Sequence, residues 1–266
     1  MPLRVTFAGP APRLAAHALH VPAGGLEPRF VDVRAEAEPR AVRAAIARGA
    51  PHVVIALDVD PEALEGLPAA TLTLGGDGGD RVLGRPGDAR AWRARPLPVD
   101  DRLYAPVKSA TGPPRTLCLT PSTGRREWLL MLAKHDHDVV HYAHGLAGDA
   151  LREQLARADV GIAVAAEAGL AFPDEALIHL AAGHLLLAER FAPPCGLEAG
   201  IDHVLVSSRE DVVATLTQLR LRPDAYERVR IRGRLKAEEH RASAVWPRIV
   251  ADLLQDIRVF GNTLTA

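Results

Sequence analysis

The sequence has few of the residues that mark several classes of protein. It has only two cysteines, Cys118 and Cys195, in a chain of 266 residues. This number excludes a disulfide-rich scaffold and favours a reducing compartment. No apolar run approaches the roughly 18 residues that cross a bilayer, and the first residues lack the basic and apolar regions of a signal peptide. We therefore expect a cytoplasmic protein without stable membrane insertion.

The chain also has little net charge and few aromatic side chains. The formal net charge is −1 at pH 7, which offers no global basis for binding nucleic acid, so no nucleic-acid partner is expected. Hydrophobic residues make up 48% of the chain, charged residues 24% and aromatic residues 4%. These values fit a globular protein, and the length allows one large domain or two compact ones.

Short apolar runs alternate with helix-like stretches through the first part of the chain. Strands separated by helices predict parallel β-α-β units. The stretch 75–115 that follows is rich in glycine and proline, which predicts a boundary between domains. We place the two domains at 1–105 and 106–266, with the last helix able to cross back to the first domain. The predicted strands of the first domain are 3–9, 29–34, 52–58 and 70–76.

The same alternation restarts after the boundary. Ser208 is predicted to cap a helix, with Asp211 at its third position, and the long helical region near the end of the chain is expected to break near Pro247. The pattern predicts an α/β protein with two Rossmann-like domains that face each other across a cleft. The predicted strands of the second domain are 115–122, 138–143, 159–167, 184–189 and 202–208.

The segment "EAGLAFPDE" at 167–175 joins a predicted strand to a predicted helix. Ligands of open parallel sheets bind beyond the carboxyl ends of the strands, and the helix that starts near Pro173 directs its positive end to the same place. Glu167 can receive sugar hydroxyls there, and Glu175 can receive ribose hydroxyls. The residues alone leave a simpler alternative open. In that alternative Glu175 only complements the helix dipole, and Glu167 is a solvated residue at the end of the strand.

A second loop, "TPSTGRREW" at 120–128, also follows a predicted strand and opens a helix. Hydroxyls and backbone N–H groups in such a loop suit a phosphate, and arginines there can stabilise a leaving diphosphate. The alternative is that Thr123 caps the helix and that the arginines are solvated. The candidate residues of this loop are Ser122, Thr123, Gly124, Arg125 and Arg126.

The run from Gly148 to Glu189 resembles the nucleotide-sugar half of retaining GT-B glycosyltransferases, in particular family 4 and its spore-protein-like branch. Its order is a leucine-rich helix ending in Ala158-Asp159, a strand, E-x7-E, a helix closing at Ala182-Gly183 and the apolar "LLLAE". The resemblance covers about 115–250, and the first half of the chain only as a general fold. Ala168-Gly169-Leu170 departs from the E-x-F-G-L that is usual in the family.

The resemblance implies roles for the residues of both loops. Glu167 would lie against the donor sugar, Glu175 would bind the ribose, and Arg125 or Arg126 would meet the departing diphosphate. The backbone amides of Gly169, Leu170 and Ala171 would approach the sugar and the diphosphate, and His144 and Gly145 would lie beside the nucleobase, where a plain loop is the alternative. A GT-B site needs no bound metal or other cofactor.

The first domain would hold the acceptor, through Gly9 in the loop "GPAPRLAAHALH" at 9–20 after the first strand and Asp58 at the end of the third. Asp58 has a plain turn residue as its alternative. The function implied is metal-independent transfer of a sugar, a hexose, from a UDP-sugar to an unidentified acceptor with retention. The alternatives are a catalytically weak or inactive nucleotide-sugar-binding protein of the same fold and an unrelated α/β module, such as a sugar-phosphate epimerase.

The segment "ERVRIRGRLKAEEHR" at 227–241 is locally basic. Such a segment can contact an anionic membrane or an acidic glycan. Interleaved glutamates favour the simpler interpretation of a solvated helical face.

Overall fold

The computed structural model describes residues 1–74, 79–107, 112–119, 137–142, 145–163 and 172–261. Its contacts divide the chain into two compact units. Unit 1 is Met1–Asp101 together with the chain from Arg241 onward, and unit 2 is Arg102–His240. The helix Ala242–Phe260 near the end of the chain belongs to unit 1. No helix among the described residues is long and apolar enough to span a bilayer.

Unit 1 contains a six-stranded parallel sheet with the order β2-β1-β3-β4-β5-β6. The second strand begins three residues earlier than the sequence predicts. The prediction also missed β5 and β6, which lie in the stretch interpreted as a glycine- and proline-rich boundary. The strands are β1 (Leu3–Gly9), β2 (Leu26–Asp32), β3 (Val53–Leu57), β4 (Ala70–Leu74), β5 (Arg81–Gly84) and β6 (Arg93–Ala94).

Two helices connect the first three strands of unit 1. Helix α1 (Ala11–His17) occupies a segment that the sequence analysis treated as a loop. Pro10 and Pro12 do not prevent it, because proline is tolerated at the first helical positions, and burial of Leu14 stabilises it. Helix α2 (Pro39–Ala47) likewise has a proline in its first turn and buries Val42 and Ile46.

The C-terminal helix α7 (Ala242–Phe260) completes the core of unit 1. The indole of Trp246 is fully buried, packs edge-on against Phe7 at 5.3 Å, and donates a hydrogen bond of 2.7 Å to the carbonyl of His17. The buried guanidinium of Arg81 on β5 pairs with Asp256 on the same helix. Because α7 supplies apolar and charged partners to the sheet, unit 1 is complete only with the last part of the chain.

Unit 2 contains a five-stranded parallel sheet with the order β11-β10-β9-β7-β8. Its core consists of side chains such as Val160, Ile162, Leu185 and Leu216. The strands are β7 (Arg115–Cys118), β8 (Asp138–His141), β9 (Val160–Ala163), β10 (Leu185–Ala188) and β11 (Val204–Leu205), and the described helices are α3 (Gly148–Arg157), α4 (Asp174–Ala181), α5 (Arg209–Leu221) and α6 (Glu227–Ala237).

The helix ends near the C-terminus test two sequence predictions. The cap of α5 is confirmed, because Ser208 and Asp211 form a reciprocal capping box. The predicted break near Pro247 is wrong, because α7 continues through this proline. The buried face of α7 outweighs the lost backbone hydrogen bond, and the interruption lies instead at the 3₁₀ turn Glu238–His240.

Candidate functional site

In both sheets the direction in which successive strands are added reverses at the first strand of the unit. In unit 1 the chain passes from β1 to β2 on one side and then crosses to β3 on the other side of β1. In unit 2 it passes from β7 to β8 and then crosses to β9 on the other side of β7. Open α/β sheets bind ligands beyond the carboxyl ends of the strands at such a switch point. Each unit therefore has one edge that is suited to a ligand.

In unit 2 the two loops selected from the sequence start at this switch point. Cys118 near the end of β7 pairs in register with Ile162 near the end of β9, so the strands from which the loops emerge end side by side. The loop residues themselves lie outside the described part of the chain: Ser122, Thr123, Gly124, Arg125, Arg126, His144, Glu167, Gly169, Leu170 and Ala171.

Glu175 lies half-buried in the first turn of α4. Just before this helix, the side chain of Phe172 is 2% exposed and packs edge-on against Phe191 at 4.9 Å. The ring of Phe191 in turn stacks on His203 at 5.2 Å. These buried contacts hold the start of α4 in place, so the carboxylate of Glu175 extends from a firmly packed helix.

One turn after Glu175, α4 carries the buried His179, which pairs with His184 beyond the end of the helix, and the sequence analysis selected neither histidine. The Nδ1 atoms of His179 and His184 lie 3.1 Å apart, and Nε2 of His184 lies 2.9 Å from the carbonyl of Leu155. A carbonyl can only accept, so His184 carries its proton on Nε2, and His179 donates from Nδ1. Only one proton fits between the two facing Nδ1 atoms, so one of the two rings has to accept at this contact.

Burial, and then the neighbouring His184, hold the pKa of His179 well below its ordinary value. The ring also packs directly on β9, because a Cβ at Gly161 would lie 2.2 Å from Cγ of His179. The helix that carries Glu175 is thus joined to the central strand by a histidine that fits only against glycine. The only sequence signal for this was a second histidine shortly after the helix, in "HLAAGH".

Gly145 follows β8, as the sequence analysis places it. Its φ of 73° lies in the left-handed region that favours glycine. Its backbone N–H lies 3.4 Å from the carbonyl of Tyr142, which directly follows the strand.

The switch point of unit 1 brings together the two residues selected for the acceptor side. Gly9 ends β1, and Asp58 follows β3, which is the adjacent strand. A Cβ at Gly9 would lie 2.5 Å from the carbonyl oxygen of Leu57 and 2.8 Å from its Cβ. Only glycine allows the two strand ends to approach this closely.

Asp58 has an unusual backbone and a charged partner. Its φ is 55°, a left-handed conformation that aspartate tolerates better than most residues. Its Oδ2 accepts a hydrogen bond of 2.7 Å from Nε of Arg13 on α1, and the two side chains are 42% and 27% exposed. The carboxylate is thereby oriented yet open to solvent. The sequence analysis selected Asp58 but not this pairing.

No group of three or more histidine, cysteine, aspartate or glutamate side chains in the described ranges is placed to hold a metal ion. The two cysteines are not bonded to each other. The groups described at the two switch points are the carboxylates of Asp58 and Glu175, the guanidinium of Arg13 and backbone groups.

No family model matches the chain, and no curated protein matches it. Among solved structures it is similar to a glycosyltransferase from Rickettsia africae, with a TM-score of 0.58, 10% identity, and coverage of 97% of this chain and 99% of that one. Anabaena Alr3699/HepE, solved with UDP and glucose, gives a TM-score of 0.58 at 8% identity, with coverage of 96% and 100%. The chain has the GT-B fold.

A third similar structure is the putative UDP-N-acetylglucosamine 2-epimerase of Listeria monocytogenes. Its TM-score is 0.53 at 9% identity, with coverage of 99% of each chain. The chain is therefore similar both to glycosyltransferases and to a structure whose name gives a different reaction. Because one fold can host several reactions, the function has to be argued from the switch points.

Proposed function

We propose that the chain is a glycosyltransferase that moves a sugar, a hexose, from a UDP-sugar to an acceptor hydroxyl, with retention and without a bound metal. The observation that carries the proposal is the switch point of unit 2. The two segments selected for the donor follow the adjacent strands β7 and β9 in the chain, and Glu175 lies in the first turn of α4. The HepE structure, which was solved with UDP and glucose, supports the nucleotide-sugar class.

In this proposal Glu175 accepts hydrogen bonds from the ribose hydroxyls, and the phosphates lie toward the loop after β7. This division is physically reasonable because a carboxylate attracts hydroxyl donors and repels phosphate, whereas Arg125 and Arg126 do the opposite. The amides of Gly169, Leu170 and Ala171 would approach the sugar and the diphosphate. Glu167 would accept hydrogen bonds from the sugar hydroxyls near the anomeric carbon.

During transfer the bond between the anomeric carbon and the phosphate oxygen breaks, and the acceptor oxygen takes its place. The negative charge that develops on the departing diphosphate is stabilised by Arg125 or Arg126, so a metal is not required. The acceptor proton leaves with the diphosphate. Unit 1 would bind the acceptor at its own switch point, where Arg13 orients the carboxylate of Asp58 toward an acceptor hydroxyl.

The proposal is tested first by binding. Isothermal titration with UDP should show binding to the intact chain, and Glu175→Gln should weaken it by roughly tenfold or more, because a hydrogen bond to a charged group contributes about 1.5–3 kcal/mol. Asp174→Asn is the matched control in the same helical turn and should change the affinity by less than about threefold. Equal effects of both variants would contradict the role of Glu175.

Turnover is tested by the release of UDP from a panel of UDP-sugars. Glu167→Gln should abolish release while UDP binding survives, and addition of a chelator should leave the rate unchanged. Binding without release from any donor would favour the inactive binding protein. A nucleotide-sugar epimerase, the class in the description of the similar Listeria structure, would be recognised by a different product, because it would return an isomerised nucleotide sugar that still carries its UDP.

A further inference from the structure

Helix α6 has one face that is firmly packed. Arg230, Gly233 and Ala237 are its buried residues. A Cβ at Gly233 would lie 2.3 Å from the carbonyl oxygen of Asp202 and 2.6 Å from Cδ2 of Leu180 on α4. Because the helix is seated this closely, its orientation in unit 2 is defined, and the opposite face is directed to solvent.

The solvent face of α6 mixes cationic and large apolar side chains. Arg228, Ile231, Arg232 and Leu235 are all exposed and follow the spacing that places residues on one side of a helix. Ile231 is 42% exposed, and Leu235 is 59% exposed. We call these four residues the α6 surface. Guanidinium groups and branched aliphatic side chains on one exposed face supply the two kinds of contact, with lipid phosphates and with the acyl boundary, by which a protein surface can bind an anionic bilayer.

The positive charge of this helix is local. The chain as a whole has a formal charge of −1, yet α6 contains Arg228, Arg230, Arg232, Arg234 and Lys236 against the single acid Glu227. Arg230 is buried, and Arg234 is engaged, since its Nε donates to the carbonyl of Ala105 at 2.7 Å and its side chain pairs with Glu238. Arg228 and Arg232 therefore provide the main exposed charge.

The acids near the α6 surface lie at its edges. Nε of Arg232 lies 3.9 Å from Oδ1 of Asp202, but the arginine is 58% exposed whereas the aspartate is 1% exposed. Asp224 and Glu227 precede the surface and Glu239 follows it, and all three are exposed. The arginine heads thus remain available to an anionic partner without breaking a close ion pair.

We propose that the α6 surface docks on an anionic lipid bilayer. Arg228 and Arg232 contact lipid phosphates, and Ile231 and Leu235 enter the boundary between headgroups and acyl chains. A soluble polyanion would satisfy the arginines but leave the two aliphatic side chains in water, whereas a bilayer accommodates both. Docking of this kind requires no spanning helix, and it is independent of the proposed sugar transfer.

Sedimentation of the full chain with vesicles tests the proposal. Binding is expected to vesicles of equal parts phosphatidylglycerol and phosphatidylcholine, but not to phosphatidylcholine alone, and should weaken with added salt. The double variant Arg228→Gln/Arg232→Gln should lower partitioning by roughly twentyfold, about fivefold for each arginine. The double variant Ile231→Ser/Leu235→Ser should lower it by about tenfold or more.

Matched controls distinguish binding by the α6 surface from nonspecific effects of positive charge and of exposed apolar side chains. Arg40→Gln/Arg48→Gln removes two exposed arginines of unit 1, and Val259→Ser/Phe260→Ser removes two exposed apolar residues of α7. Both controls should bind like the unaltered chain, and all variants should keep its melting temperature. Failure of the unaltered chain to bind anionic vesicles, or equal binding to neutral ones, overturns the proposal. The proposal is also overturned if the chain binds a soluble polyanion such as heparin and the double serine variant binds vesicles as well as the unaltered chain does.

Discussion

The two units share a strand order but build their switch points differently. In unit 1 Pro10 alone separates β1 from α1, and residues 58–60 separate β3 from the 3₁₀ turn at Pro61. Short connections of this kind fix the backbone at the strand ends. In unit 2 the described part of the chain next to the switch point is the start of α4, which the buried ring of Phe172 holds in place. The same topology is therefore closed by short connections in unit 1 and supported by a packed helix start in unit 2.

The support beneath the two edges also differs. Unit 1 depends on α7, which comes from the far end of the chain and contributes Trp246 and the partner of Arg81. Unit 2 is supported from within, by His179 packed between Gly161 and His184. The switch point of unit 1 is thus supported by a helix that is distant in sequence, and that of unit 2 by a contact between histidines that are close in sequence. Each can be disturbed separately.

The largest effect is expected from Trp246→Ala. The indole is fully buried and hydrogen-bonded, so its removal should cost unit 1 about 3–5 kcal/mol of unfolding free energy. Hydrogen exchange should show faster exchange in β1 and β3 and little change in β9 and β10. Phe260→Ala, at an exposed position of the same helix, should change stability by less than about 0.5 kcal/mol. Equal loss of protection in both units would show that they are not supported separately.

Gly161→Ala should destabilise unit 2 by about 1–3 kcal/mol or more, because the new methyl group would overlap the buried ring of His179. Gly112→Ala is the matched control in the same unit, since nothing lies within 4 Å of its Cβ position. Chemical denaturation measures both. A Gly161→Ala protein as stable as the control would show that the ring can move aside, and that α4 is not held as described.

Acid should destabilise unit 2 through the same histidine. The folded-state pKa of His179 is lowered, so the unfolded chain binds more protons and stability rises with pH. The stabilisation is complete above the unfolded value of about 6.5 and is lost as pH falls below it, by up to about 1.4 kcal/mol per pH unit. Melting curves between mildly acidic and neutral pH measure this slope.

His203 adds to the same slope. Burial lowers its pKa, although Asp202 opposes the effect. His179→Gln should therefore flatten the dependence without abolishing it. A slope identical to that of the unaltered chain would contradict the assignment to His179.

The smallest effect on stability is expected from Asp58→Gly. Glycine accepts a φ of 55° without strain, and a partly exposed ion pair contributes only about 0–1 kcal/mol, so the melting temperature should barely change. Under the proposed function, acceptor-dependent turnover should nevertheless fall by roughly tenfold, while UDP binding is unchanged. Unaltered turnover would make Asp58 a turn residue only.

Much of the fold could be predicted from the sequence, because buried parallel strands stand out as short apolar runs between helical patterns. Helix α1 was missed because prolines flank its first residue, and β5 was missed because it carries Arg81. The burial of Arg81 depends on Asp256, 175 positions further along the chain. A local pattern cannot contain that information.

The candidate site divides in the same way. Gly9, Asp58 and Glu175 could be selected because each lies at the end of a predicted strand or the start of a helix. The contacts that hold α1 and α4 in place could not be selected from the sequence. The ion pair of Asp58 with Arg13 and the contact of His179 with Gly161 arise only when separate elements pack together.

The account is tested most directly by a crystal structure of the chain with UDP. We predict the diphosphate beyond the carboxyl ends of β7 and β9, with the ribose hydroxyls within hydrogen-bond distance of the Glu175 carboxylate. Nucleotide bound instead at the ends of β1 and β3, beside Gly9 and Asp58, would contradict the assignment of the donor to unit 2.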